Sequence, residues 1–153
     1  MNDLQPLLSL LSQAENDRDA AVAARSRALT HLEGLQNQTR QLLDYRREYE
    51  QRWTEQFKTQ GTIEVLRYYQ SFTERLGQAL SHQQHCEAQA EQQLQSIRAM
   101  VMSCEMKVAS VKKLLDRRVS ERAKQAERQE QKLTDEFASR TQGNALSHLP
   151  NSV

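Results

Sequence analysis

Residues 90–115 read AEQQLQSIRAMVMSCEMKVASVKKLL. Within them Ala90, Leu94, Ile97, Val101, Cys104, Val108, Val111 and Leu115 recur at alternating steps of four and three residues. That repeat keeps one narrow stripe of an α-helix apolar and aims it at a partner helix, which winds the pair into a left-handed supercoil. Upstream, Leu66, Tyr69, Leu76 and Leu80 extend the same register, with Thr73, Gln83 and Glu87 as weaker members. A helix is predicted over about residues 63–140.

The partner lies earlier in the chain. Leu7, Ala14, Ala21, Ala28, Leu35, Leu42 and Tyr49 recur at every seventh residue. Beside them runs a companion row of Leu4, Leu8, Leu11, Val22, Leu29, Leu32 and Leu43, interrupted by Glu15, Arg18 and Arg25. A helix over about residues 4–57 follows, and Pro6 is tolerated because its missing N–H falls in the first turn. Residues 58–62 make the break: Gly61 can end the first helix and Thr62 can cap the second. So short a connection sets the helices antiparallel. The expected fold is all-α, two long helices in an antiparallel left-handed coiled-coil hairpin over residues 1–142, with residues 143–153 a disordered tail.

Composition agrees with a thin molecule. Only 37% of the residues are hydrophobic and 5% aromatic, too few for a thick core, while strong helix formers dominate. A formal net charge of +1 offers nothing to nucleic acid or an anionic membrane surface. No apolar run approaches the roughly 20 residues that span a bilayer, so no direct membrane insertion is expected. The N-terminal MNDLQPLLSLLSQAEND lacks the basic region and cleavage site of a secretory signal, and the chain is read as cytoplasmic. Cys86 and Cys104 share one helix at a separation of roughly 27 Å, too far for a disulfide. Both read as reduced structural thiols.

The helices are unequal. Folding about a turn near residue 60 sets Leu4 level with residues 116–117, so residues 117–140 overhang. This segment, RRVSERAKQAERQEQKLTDEFASR, is intensely charged, with Val119, Leu133 and Phe137 its large apolar residues. Its Arg117, Arg118, Arg122, Lys124, Arg128 and Lys132 outnumber Glu121, Glu127 and Glu130 by three. An unpaired helix of this length is marginal in water, so it frays or awaits a partner.

Near the turn there is more apolar surface than one stripe can cover. On the second helix Val65, Tyr68, Phe72 and Ala79 form a row about 80° around from Leu66, Tyr69 and Leu80, with Leu76 between. On the first, Gln38, Leu42, Tyr45 and Tyr49 run beside the line of Thr39, Leu43 and Arg46. The antiparallel register pairs Leu42 with Ala79, Tyr45 with Leu76 and Tyr49 with Phe72. Either these residues face one side and make an exposed docking patch, or Leu42, Tyr45 and Tyr49 are the seam and Leu43 stands outside it.

Catalytic machinery is not expected. There is no phosphate-binding loop, no dinucleotide-binding glycine motif, no nucleophile elbow and no CxxC pair. His82, His85 and Cys86 have a spacing that could hold a metal on one helical face, but no fourth ligand is visible and no metal or other cofactor is predicted. A two-helix hairpin also lacks the concave, water-excluding site that an enzyme needs.

Three blocks carry a family resemblance. LLDYRREY at residues 42–49 is similar to an L-x-D-Y-x-x-E-Y segment, YYQSFTERLGQAL at 68–80 to Y-Q-x-F-x-x-x-L, and DEFASR at 135–140 to a closing D-E-F-A-x-R. Together they resemble the FliJ family, small coiled-coil components of the bacterial flagellar type III export apparatus. The likeness spans nearly the whole chain. It implies a non-enzymatic stalk, similar to the central stalk of rotary ATPases, that enters the export ATPase ring and promotes its assembly. It also implies binding to the cytoplasmic domain of the membrane export gate and to flagellar export chaperones, at the cytoplasmic side of the inner membrane.

By this resemblance the gate patch holds Gln38, Leu42, Tyr45, Tyr49, Phe72, Leu76, Ala79 and Gln83, the last a departure from a position that is often His. The ATPase contact is expected on the overhang, at Arg117, Arg118, Arg122, Lys124, Arg128, Lys132 and Phe137. Two alternatives stand beside it: the analogous stalk of a virulence-type secretion system, and a generic coiled-coil dimerisation module.

Overall fold

The computed structural model describes residues 4–147 and forms two helices, α1 over Gln5–Thr59 and α2 over Ile63–Ser147. The helices pack against each other, and the class is all-α. Three residues, 60–62, connect them. The Thr62 hydroxyl accepts from the Val65 N–H at 3.4 Å, so Thr62 caps α2 as its residue type predicts. Gly61 does not take the left-handed conformation expected of a helix-ending glycine. A methyl group there would meet the Phe57 carbonyl oxygen at 3.4 Å and the edge of the Phe57 ring at 4.0 Å, both ordinary contacts. Gly61→Ala is therefore expected to move the melting midpoint by no more than about 3 °C, read by circular dichroism.

α2 continues to Ser147, past the end expected near Arg140, and residues 143–147 of the expected tail are helical. Gly143 sits inside this last stretch, where a glycine costs only about 1 kcal/mol relative to alanine and does not by itself stop a helix. Residues 148–153 of that tail lie outside the described residues.

Packing groups the chain into two units, Met1–Ala14 with Lys107–Val153, and Glu15–Met106. In the larger unit Ala21, Leu32, Leu76, Leu80, Ala90, Leu94 and Val101 are buried, and Leu32, Ala90 and Leu94 form a cluster flanked by Ala28 and Leu35. Every member of the seven-residue row in this unit, from Ala21 to Tyr49, is buried or half-buried. The companion row differs from expectation. Leu29 and Leu43 are exposed, and half-buried Arg18, Arg25 and Thr39 stand in phase with Leu32 instead. Heptad spacing decides this over residue type, because an arginine lays its aliphatic stem in the seam and keeps its head in water. Arg18 turns its guanidinium to neighbouring Asp19 at 3.2 Å.

A second difference lies on α2. From Gln83 to Cys104 the covered positions keep the strict four-three alternation, with half-buried Cys86 beside it. Below Leu80 two steps of four follow in succession, to Leu76 and then to Phe72 where the alternation calls for Thr73, and the next covered residues are Tyr69 and Val65. Thr73 and Leu66, expected in the seam, are exposed. A step of this kind locally unwinds the supercoil and turns the helix relative to its partner.

In the smaller unit Ala14, Val108 and Val111 are buried, and Leu7, Leu11 and Leu115 are half-buried. Leu8, expected beside them, is exposed. Leu4 meets Arg118, Glu121, Arg122 and Gln125 around a cleft of about 190 Å³. Beyond Arg122, which is half-buried, every described residue through Ser147 is exposed.

Candidate partner-binding surface

Tyr45, Tyr49 and Trp53 recur at steps of four on α1 and so share one side of the helix. Tyr69 and Phe72 meet them from α2. Tyr49 is the hub: its ring centroid lies 3.9 Å from that of Phe72, 5.8 Å from Trp53, and 6.3 Å from both Tyr45 and Tyr69. Tyr45 meets Phe72 edge-on at 5.9 Å, and Trp53 reaches Tyr69 at 5.1 Å. Five of the eight aromatic residues in the chain gather here. Such pairs contribute roughly 0.5–1.5 kcal/mol each beyond the area they bury. The contact of Tyr49 with Phe72 also agrees with the register read from the sequence.

The expected patch is only partly an exposed surface. Leu76 is 7% exposed and belongs to the core. Leu42, Tyr49, Phe72 and Gln83 are half-buried in the seam, and Leu43 is the residue left outside. Gln38, Tyr45 and Ala79 are exposed, Tyr45 to 49%. The shift follows from the step of four between Phe72 and Leu76, in place of three, which carries Phe72 inward. What remains outside is the face of Tyr45, the open edges of Tyr49 and Phe72, and exposed Tyr68, which lies on the Phe72 and Ala79 side of α2.

Two features were missed in the sequence. Trp53 stands four residues past Tyr49, and that spacing could have placed it in the cluster. On the other side of Tyr69, a groove of about 370 Å³ is lined by Trp53, Thr54, Phe57, Lys58, Leu66 and Tyr69.

A polar layer sits beside the cluster. The Gln83 side-chain amide donates to the Leu35 carbonyl at 2.9 Å and to the Gln38 side-chain oxygen at 3.1 Å. The Thr39 hydroxyl bonds the Glu87 carboxylate across the seam and lies 3.1 Å from the Leu35 carbonyl. Polar pairs at seam positions select one register, because slippage would strand them unpaired.

The chain matches the family model described as flagellar FliJ protein over residues 2–147. It belongs to the FliJ family. No curated protein and no solved structure gives a significant match to the chain. Membership makes it a component of flagellar protein export, of the type III secretion class, and the family is one of export components rather than of enzymes. No described helix is long and apolar enough to cross a membrane. His82 and Cys86 approach at 3.7 Å, and among the described residues no group of three or more His, Cys, Asp and Glu is placed to hold a metal ion. Both cysteines are free and half-buried.

The second candidate surface belongs to the smaller unit. Arg117, Arg118, Lys124, Arg128, Lys132 and Phe137 are exposed, Phe137 to 74%, whereas Arg122 is half-buried beside Leu4. Val119 and Leu133 are exposed with them. Residues 123–147 thus form a single helix with no covered side chain, a length at which isolated helices are marginal.

Proposed function

We propose that this chain is a non-enzymatic coupling stalk of the flagellar export apparatus, with one surface for the export ATPase ring and another for the cytoplasmic domain of the membrane export gate. Family membership supplies the apparatus. The observation that carries the ATPase reading is the solitary helix over residues 123–147, which keeps Leu133 and Phe137 in water. A segment of this composition gains stability by packing on a partner. The basic excess of residues 117–132, six Arg and Lys against three Glu, favours an acidic lining in the ring, whose assembly the inserted helix promotes. The gate reading rests on Tyr45 with Gln38, Ala79 and the edges of Tyr49 and Phe72, since exposed aromatic clusters are typical binding hot spots. Export chaperones are further partners, and the protein works at the cytoplasmic side of the inner membrane through these contacts.

Truncation after Arg122 tests the ATPase contact. The shortened chain is expected to lose stimulation of the ATPase while the melting midpoint stays within about 4 °C of the full chain, because the removed helix covers no core residue. For the full chain, binding to the ATPase should weaken as salt rises from 0.05 to 0.5 M, on the order of tenfold, as the Debye length shortens. Retained stimulation after truncation would contradict the assignment.

A further inference from the structure

We propose that α2 between Ile63 and Leu80 has two rotational settings, and that the gate-docking face is complete only in the second. The proposal deepens the gate reading above and rests on it for the identity of the partner. In the described setting Val65, Tyr69, Phe72, Leu76 and Leu80 face the seam. An uninterrupted heptad would instead place Leu66, Tyr69, Thr73, Leu76 and Leu80 there. The two sets share three members and differ by a turn of α2 about its own axis of roughly 40°, at 3.6 residues per turn.

Three observations support a second setting. Leu66 is 39% exposed and lines the groove beside Trp53, Phe57 and Tyr69, so a turn toward the seam moves it into open space. The same turn carries Phe72 outward, to the side that already holds exposed Tyr45, Tyr68 and Ala79. The step of four between Phe72 and Leu76, in place of three, concentrates the phase change in one short stretch. Next to that stretch, the bonds of Gln83 to Leu35 and Gln38, and of Thr39 to Glu87, pin the register of the remaining seam.

The described setting is the resting one. It covers Phe72 against Tyr49 and Tyr45, where the second setting exchanges this phenylalanine for Thr73 and gains only the difference between Leu66 and Val65. A partner that binds Phe72 supplies the difference and draws the equilibrium over, as any ligand does that prefers one of two states. The free protein therefore keeps its most apolar docking residue covered until the gate is met.

Thiol labelling of the full chain tests this without the partner. In a Cys86→Ala, Cys104→Ala background, Val65→Cys and Leu66→Cys report opposite sides of the rotation. Thr73→Leu favours the second setting by giving it a better seam residue. Adding it is expected to speed labelling at Val65→Cys about fivefold and to slow labelling at Leu66→Cys by a similar factor. Unfolding would speed both, so an increase at both positions, or no change at either, overturns the proposal. Thr73→Leu in the native chain is then titrated with the gate's cytoplasmic domain. Tighter binding than wild type supports the link to docking. Opposed labelling changes with unchanged affinity overturn that link, and no binding by wild type or variant overturns the gate reading while the rotation stands.

Discussion

Val108→Asp is expected to lower the melting midpoint by roughly 10–20 °C, measured by circular dichroism. Val108 is 4% exposed, between Val111 and the half-buried Cys104 on the covered face of α2. A carboxylate there would lose its water, and an uncompensated buried charge costs about 3–5 kcal/mol. For a chain of this size each kcal/mol is worth about 2–4 °C. The exposed neighbour Ala109 supplies the control, because Ala109→Asp meets water and should change the midpoint by only about 2 °C. A melting curve unchanged by Val108→Asp would mean that the covered face has been drawn on the wrong side of α2.

Leu76→Ala is the second substitution with a large expected effect. The surplus of apolar residues near the turn suggested that Leu76 was part of a docking patch, but it is buried, and truncating it leaves a cavity. Such changes cost about 2–5 kcal/mol, or on the order of 10 °C here. Leu66→Ala, at an exposed position of the same helix, should cost less than half as much. Any loss of partner binding in Leu76→Ala would then reflect a damaged seam rather than a missing contact. Equal melting of the two variants would contradict the placement of Leu76.

The contrast between these residues shows which part of the fold was legible in the sequence. From Ala90 to Leu115 the apolar residues keep one phase, all eight named positions are covered, and a seven-residue period was enough to find them. The row from Leu7 to Tyr49 was equally plain, as were the turn and the Thr62 cap. What could not be read was the four-residue step between Phe72 and Leu76. Continuing the period predicted Thr73 and Leu66, whereas the fold covers Phe72 and Val65 one residue earlier. Covering a phenylalanine removes more apolar area from water than covering a threonine, and that gain outweighs a strict repeat.

The candidate surface inherited this error. Its existence near the turn was legible because aromatic residues gather there. Its outline was not, since a rotation of a fraction of a turn decides whether Leu42, Tyr49 and Phe72 face water or a partner helix. Arg18 and Arg25 show the converse, because residue type argued against seam positions that the heptad nonetheless assigns to them.

Calorimetric titration of the export gate's cytoplasmic domain into wild type and Tyr45→Ala shows whether the aromatic face near the turn docks the gate. Tyr45 is exposed and touches Tyr49 and Phe72 only by ring contacts, so its loss should leave the melting midpoint within about 4 °C of wild type. Tyr45→Ala is nonetheless expected to weaken gate binding at least tenfold, about 1.4 kcal/mol, as loss of an aromatic hot spot does. Binding of Tyr45→Ala with wild-type affinity would contradict docking through that face.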